Sequence, residues 1–366
     1  MLSITAMILK IKASTLTNKP KPTLNPPPKV GFILTLQKKQ IIFQGIIYEL
    51  CKRKTNNNKP AATFLYLCCL IFATPNATAT NQKALKATFK ELKIKARAGD
   101  ASAQNRIGFM YAQEMGIKKN NEKAFKWIKK AAEGRDEFGQ YNLGFLYKNG
   151  QGVAQDYTKA AYWFARSANQ GNTKAQDLLA TMYYNGQGVR QDYDEAFYWY
   201  QEAAEQNHTN AQFELAGLYY EGKGVQKNYK AAFYWYQEAA YSNHRKSQYN
   251  LANIYYSGAT GVNRDYQEAF YWFHRAAIEG FALAQNNVGV MYEKGQGVTQ
   301  DHTESFKWFK KAAINGNALG QYNLGVIYYE GVIVLKNQEE ALKWFQAAYA
   351  QGIKQAKQYI DLIQNS

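Results

Sequence analysis

Cysteine is nearly missing from this chain. Its 366 residues contain three, Cys51, Cys68 and Cys69, and none lies beyond position 69. The stretch from 80 onward therefore has no disulfide, no thiol nucleophile and no cysteine metal site. Histidine is almost as scarce, with His208, His244, His274 and His302. No H-E-x-x-H or Cys/His spacing accompanies them. His208 and His244 are 36 residues apart at equivalent positions, and helices packed about 8–10 Å apart set such a pair too wide for one metal. No metal and no cofactor are expected. "GLYYEGKG" at 217–224 opens like a phosphate loop, but it lacks the following Ser/Thr and leaves a helix rather than a strand.

Acidic residues are missing from one end. Residues 1–79 hold eleven Lys/Arg against one acid, residues 83–135 hold fourteen against five, and residues 136–366 hold twenty against twenty-two. The net charge of +17 thus belongs to the N-terminal third. A nucleic-acid binder carries its basic groups along a continuous face, so nucleic acid is not the expected partner.

Long apolar runs are missing too. The longest is the 13-residue stretch Ala61–Ala73, short of the roughly 20 residues that a membrane-crossing helix needs. Lys52, Arg53, Lys54 and Lys59 precede it, and Ala77-Thr78-Ala79 follows with small residues at the −3 and −1 positions of a cleavage site. This is the layout of a secretory signal over 51–79. The alternative is an anchor through residues 61–73. Residues 1–50 include the Pro- and Lys-rich "NKPKPTLNPPPK" at 18–29. They read as a disordered extension or as sequence upstream of the true translation start.

What the chain does have is a period. Seven tryptophans, Trp127, Trp163, Trp199, Trp235, Trp272, Trp308 and Trp344, are spaced 36, 36, 36, 37, 36 and 36 residues apart. Gln104, Gln140, Gln176, Gln212, Gln248, Gln285 and Gln321 form a second ladder, with the one extra residue falling in the loop "GATGV" at 258–262. A fixed period of this size marks a repeat solenoid.

Each unit reads as two helices. In helix A, Gln140, Leu143, Gly144 and Tyr147 share a face, and Gly144 lets the facing helix approach. "GQGV" at 150–153 ends it. Helix B opens at an N-cap, which is Asp156, Asp192, Asp265, Asp301, Asn120, Asn228 or Asn337. Glu195, Glu268, Glu304 and Glu340 lie three residues further on, as in a capping box. Alanines such as Ala160 and Ala168 accompany each tryptophan, which is expected in the core. The first copy has Glu114 at the first loop glycine, the last has Ile333 at the second, and Asn207 and Asn243 replace the closing glycine. The expected fold is an all-α superhelical solenoid of seven 36-residue repeats over 101–352. A capping helix is expected on each side, over 80–100 and 353–366.

The pattern A-x-x-x-L-G-x-x-Y-x-x-G-x-G-V, then Asp, then A-x-x-W-x-x-x-A-A-x-x-G, resembles the Sel-1-like repeat, a relative of the tetratricopeptide repeat. The resemblance implies that helix A lines a concave surface. The position two after the repeated Gln then faces a groove, through Arg106, Asn142, Asn250, Asn287 and Asn323, with Leu178 and Glu214 in the other copies. Tyr184, Tyr220, Tyr256 and Tyr329 lie farther along that face, and phenols with apolar bodies suit interfaces. The alternative is that these residues pack between repeats. The repeated Gln faces the core and is expected to be hydrogen-bonded there. Tyr162, Tyr198, Tyr234 and Tyr271 share their position with Lys126, Lys307 and Lys343, so they are expected on an outer stripe.

The resemblance implies a non-catalytic interaction scaffold, of the bacterial envelope or secreted, that binds a protein or peptide. The mature chain is expected to be a monomer without stable membrane insertion. For the basic end, with Lys118, Lys119, Lys123, Lys126, Lys129 and Lys130, an acidic partner or anionic surface stands against a solvated cap. The other reading is the penicillin-binding or β-lactamase activity credited to cysteine-rich relatives. Those pair cysteines within each repeat, which this chain does not have, and S-x-x-K, S-D-N and K-T-G are absent.

Overall fold

The structure, a computed structural model, describes residues 77–258 and 261–365. The expectations for residues 1–50, and all of the 51–79 segment except its last three residues, lie outside them. Among the described residues there are sixteen helices and no strand. α1 spans Ala77–Arg97. The A helices are α2 (Ala101–Ala112), α4 (Glu137–Asn149), α6 (Thr173–Asn185), α8 (Thr209–Glu221), α10 (Arg245–Ser257), α12 (Ala282–Lys294) and α14 (Ala318–Glu330). The B helices are α3 (Asn121–Glu133), α5 (Tyr157–Ala168), α7 (Tyr193–Glu205), α9 (Tyr229–Tyr241), α11 (Tyr266–Ile278), α13 (His302–Ile314) and α15 (Gln338–Ala350), and α16 covers Ala356–Gln364. Residues from Gln82 onward form one compact unit.

From α2 to α16 each helix packs on its neighbours in sequence, giving a row of A helices and a row of B helices, and α1 packs on α2 through Leu92, Ala96 and Ile107. Two pairs within the A row, α2 with α4 and α12 with α14, come into closer contact than any pair within the B row. The A row therefore lies on the inside of the curve.

The repeated glutamine closes every B-to-A turn. In all seven repeats its Nε2 donates to the carbonyl of an alanine eight residues earlier: Ala96, Ala132, Ala168, Ala204, Ala240, Ala277 and Ala313. That carbonyl lies in the last turn of the preceding helix, where no intrahelical N–H remains for it. Its second lone pair takes the N–H of the turn residue three positions on, as Gly171 does to Ala168 and Gly316 to Ala313. That turn residue is left-handed in every repeat. Asn207 and Asn243 adopt φ 63° there, and so does Arg135, at φ 62°, without the help of an Asn side chain.

Gln Oε1 needs a donor as well. Gln170, Gln206, Asn315 and Gln351 supply one to Gln140, Gln176, Gln285 and Gln321 across 30 residues. In two repeats the equivalent residues are Ser242 and Glu279, and there the Oε1 atoms of Gln212 and Gln248 are buried without a partner.

The aromatic core departs from the tryptophan expectation. Trp199, Trp272 and Trp308 are buried, whereas Trp127, Trp163, Trp235 and Trp344 are only half-buried. The deeper rung is the next residue, Ile128, Phe164, Tyr200, Tyr236, Phe273, Phe309 and Phe345, buried in every repeat. The size of the indole places it at the edge of the inter-repeat seam, while the following side chain enters the A/B interface. A Cβ at Gly144, Gly289 or Gly325 would press within 2.9 Å of the Phe164, Phe309 or Phe345 ring, so these glycines set how closely A and B approach.

The A-to-B loop also differs in part. All seven Asp/Asn N-caps form, each accepting from a backbone N–H of the first helical turn. The reciprocal half of the capping box does not. Each N-cap N–H instead donates to a helix A carbonyl, Tyr111, Tyr147, Tyr183, Tyr219, Tyr255, Tyr292 or Tyr328. The glutamates are thereby released. Glu195 and Glu340 accept from the Trp199 and Trp344 indoles at 3.2 and 3.0 Å, and Glu304 accepts from Lys307. Glu114 takes φ 57° in place of the first loop glycine. At the second, a Cβ on Gly188 or Gly224 would strike the backbone that opens the preceding B helix. Ile333 at that position is not left-handed, and in its loop Val332 and Leu335 are 82% and 92% exposed.

Replacing Ser242 with Gln should restore the missing donor to Gln212. Urea denaturation is expected to show a gain of about 1 kcal/mol, the usual cost of a buried unpaired acceptor. The same Gln at exposed Ser257 should leave stability unchanged.

Candidate functional site

The inner surface is built from A-helix side chains, and many of them are already hydrogen-bonded to the next repeat. Asn142 Nδ2 donates to Asn105 Oδ1 at 2.8 Å, and Asn323 Nδ2 to Asn286 Oδ1 at 3.0 Å. Asn286 in turn points its amide at Asn287 Oδ1, 3.4 Å away. Asn250 hydrogen-bonds to the Tyr236 hydroxyl. Asn286 is buried, and the other amides and Arg106 are half-buried. The residue two after the glutamine therefore meets the residue one after it in the previous copy. Sequence reading missed that second position, although Asn105, Asp177 and Asn286 make it polar in three copies.

The middle of this surface is acidic. Asp177 is buried, accepts from Asn210 Nδ2 at 2.8 Å and lies 3.8 Å from His208 Nδ1. Burial pushes its carboxyl up despite both neighbours. Glu214, at the groove position of the next repeat, is also pushed up, first by burial and then by Asp177. The Tyr200 hydroxyl beneath them is 3.0 Å from Thr181 Oγ1, and burial raises it above the ordinary phenol range.

The tyrosine row packs across the A-to-B loop. Tyr184, Tyr220 and Tyr256 stand edge-on to Tyr193, Tyr229 and Tyr266, with centroids 5.2–5.3 Å apart. The Tyr184 hydroxyl accepts from Lys223 of the next repeat, and Tyr256 donates to Gln296. Tyr329 leans on Tyr359 of α16. Tyr220 is the most open of the four, at 44% exposed.

On the outer row, Tyr162, Tyr198, Tyr234 and Tyr271 are 52%, 51%, 51% and 37% exposed. Each stands edge-on to the tryptophan that follows it, with centroids 4.9–5.1 Å apart. Arg166 and Arg275 lie over the first and last of these pairs and donate to the tyrosine hydroxyls. These rings are solvent-facing yet held in place.

His208 and His244 have a structural use. Each is the N-cap of an A helix, accepting through Nδ1 from the N–H of Ala211 or Ser247, where other copies use Asp100, Asp136, Asn172 and Asn317. Among the described residues no group of three or more His, Cys, Asp or Glu is placed to hold a metal, and no helix is long and apolar enough to cross a membrane.

The matching family model is the Sel1 repeat, found at 101–136, 138–172, 173–208, 209–244, 245–281, 282–317 and 318–353. The chain belongs to the Sel1 repeat family. Two solved structures are similar to it. A protective antigen of uropathogenic Escherichia coli with an SLR fold is 36% identical over 74% of this chain, with a TM-score of 0.71. This chain spans 58% of that antigen's length. A Sel1 repeat protein from Oxalobacter formigenes is 26% identical over 96% of this chain and 99% of its own, with a TM-score of 0.63. A search of curated proteins returns no match. Sel1 repeat proteins are commonly interaction scaffolds, and the fold is typically non-catalytic.

His244 makes the fold pH-dependent. Burial first, then Lys246 and Arg245, hold its imidazole below the ordinary value of 6.5, and the helix N-terminus disfavours a cation there as well. The unfolded chain therefore binds the proton more readily. The stabilising contribution is complete above about pH 6.5 and is lost as pH falls from there toward the lower folded value. His244→Asn keeps the cap, so its Tm should fall less than that of the parent between pH 7.5 and 5.5 by differential scanning fluorimetry.

Proposed function

We propose that this chain is a non-catalytic scaffold, exported to the bacterial envelope or secreted, that holds a peptide or protein segment along its A-helix surface. The observation that carries this reading is the row of half-buried Asn amides and tyrosine phenols along that surface. Amides donate to and accept from a peptide backbone, and phenols offer large contact areas at low entropic cost. The inter-repeat bonds that occupy Asn142, Asn323, Tyr184 and Tyr256 hold these groups in place before a partner arrives, which lowers the ordering cost of binding. Asn287 and Tyr220 are the least committed members. Asp177 and Glu214 favour a partner segment with a basic residue at the centre. The export layout of 51–79 and the 36% identity to a bacterial protective antigen support the location.

In envelope-extract pull-downs, Asn250→Ala with Asn287→Ala is expected to weaken partner capture about tenfold, the loss of one or two net hydrogen bonds, with a drop in Tm no larger than the freed Tyr236 hydroxyl accounts for. Undiminished capture, or a collapsed fold, counts against the groove. Nitrocefin turnover by the purified chain is expected to be nil, and turnover above a heat-denatured control would favour the enzymatic reading.

A further inference from the structure

The N-terminal end carries a basic face that the groove does not use. α1 occupies the place of a B helix, because Gln104 clamps the Ala96 carbonyl as every later glutamine clamps its own turn. Lys90 of α1, Lys126 of α3 and Tyr162 of α5 are then successive members of the outer row, 36 residues apart. Lys86 and Lys93 flank Lys90, and Lys130 and Arg166 follow one turn beyond Lys126 and Tyr162. The cations at 86, 90, 126, 130 and 166 are exposed. The carboxylates at this end that form ion pairs engage other lysines, Glu91 with Lys95 and Glu133 with Lys129. Two exposed side chains of apolar body share the face, Ile94 at 72% and Tyr162 at 52%. The next repeats lack this character, since Asp194 and Glu202 flank Tyr198 and Glu238 follows Tyr234.

We infer that the outer face of α1, α3 and α5 docks on an anionic phospholipid bilayer surface. Charge complementarity supports it: residues 83–135 hold nine more cations than acids, while the rest of the solenoid is close to neutral. Three helices side by side present a broad patch rather than a track. A long polyanion such as nucleic acid would use an unbroken stripe running the length of the solenoid, and this one is interrupted by Asp194, Glu202 and Glu238 in α7 and α9. Lysines on long stems reach lipid headgroups while Ile and Tyr enter the interfacial layer. Position in the chain fits as well, because α1 begins at Ala77, four residues after the apolar run that ends at Ala73.

Co-sedimentation of the full chain tests this, with neutral phosphatidylcholine vesicles as the baseline for any contribution from the apolar run. Vesicles with about a third phosphatidylglycerol should bind at least about tenfold more tightly, each nearby lysine contributing roughly fivefold. The preference should vanish at ~0.5 M salt, where screening is short-ranged. Lys90→Glu, Lys126→Glu and Lys130→Glu together should remove it, whereas Lys294→Glu, Lys336→Glu and Lys354→Glu, with the same change in net charge, should retain most of it. Thermal melts check both folds. If the first triple melts early, Lys126→Glu alone should still lower the preference about fivefold. Equal binding to both vesicle types, equal losses from the two triples, or intact vesicle binding by a folded first triple overturns the inference. It stands or falls separately from the groove, which Asn250→Ala with Asn287→Ala probes.

Discussion

One glutamine amide per repeat holds this solenoid together. Each B helix ends with carbonyls that its own backbone cannot satisfy, and each following A helix must turn back against it at close range. The Gln side chain resolves both demands by reaching eight residues back to the terminal carbonyl from inside the helix–helix seam. In four repeats its Oε1 then draws a side chain from the next turn into the same seam. Such links join repeat to repeat in a stretch of chain that has no cysteine. Small residues at that crossing, such as Gly139 and Gly320, whose added Cβ would press on Ala131 and Ala312, are what let the helices come near enough for the amide to reach.

With the internal lattice held this way, the two surfaces are free to differ. The inner row spends part of its polar capacity on neighbours, so its amides and phenols are pre-set rather than loose. The outer row keeps one exposed position per repeat and fills it with Tyr in the middle and Lys toward both ends. The charge is graded too, basic over α1, α3 and α5 and mixed beyond. In a solenoid each repeat contacts mainly its neighbours, so a change of surface character at one end leaves the other end's packing intact.

Much of the fold was legible because it is written seven times. The Trp and Gln spacings, the loop glycines and the Asp/Asn caps each recur in register, and local rules place them correctly. The misreadings concern choices between equally permitted partners. Glu195 and Glu340 satisfy the capping-box spacing, but the N-cap N–H is taken by a helix A carbonyl and the carboxylates turn to tryptophan. Trp163 and Phe164 are adjacent and both aromatic, and only the packed pair of helices shows that the phenylalanine goes deeper. Arg135 adopts a left-handed turn conformation with no residue-type signal to announce it. The groove asparagines were placed on the right helices, yet which of them bonds to which neighbour depends on the stagger between repeats.

By itself the sequence determined the repeat number, the helical pairs, the loop positions and the family. These follow from periodicity and from backbone rules that act within a few residues. The tertiary structure alone decided which amides remain open on the inner row and which tyrosines on the outer one are held by a neighbouring arginine. The first of these depends on contacts between residues 30 to 40 positions apart, where the geometry of stacking sets the distance and the residue type does not.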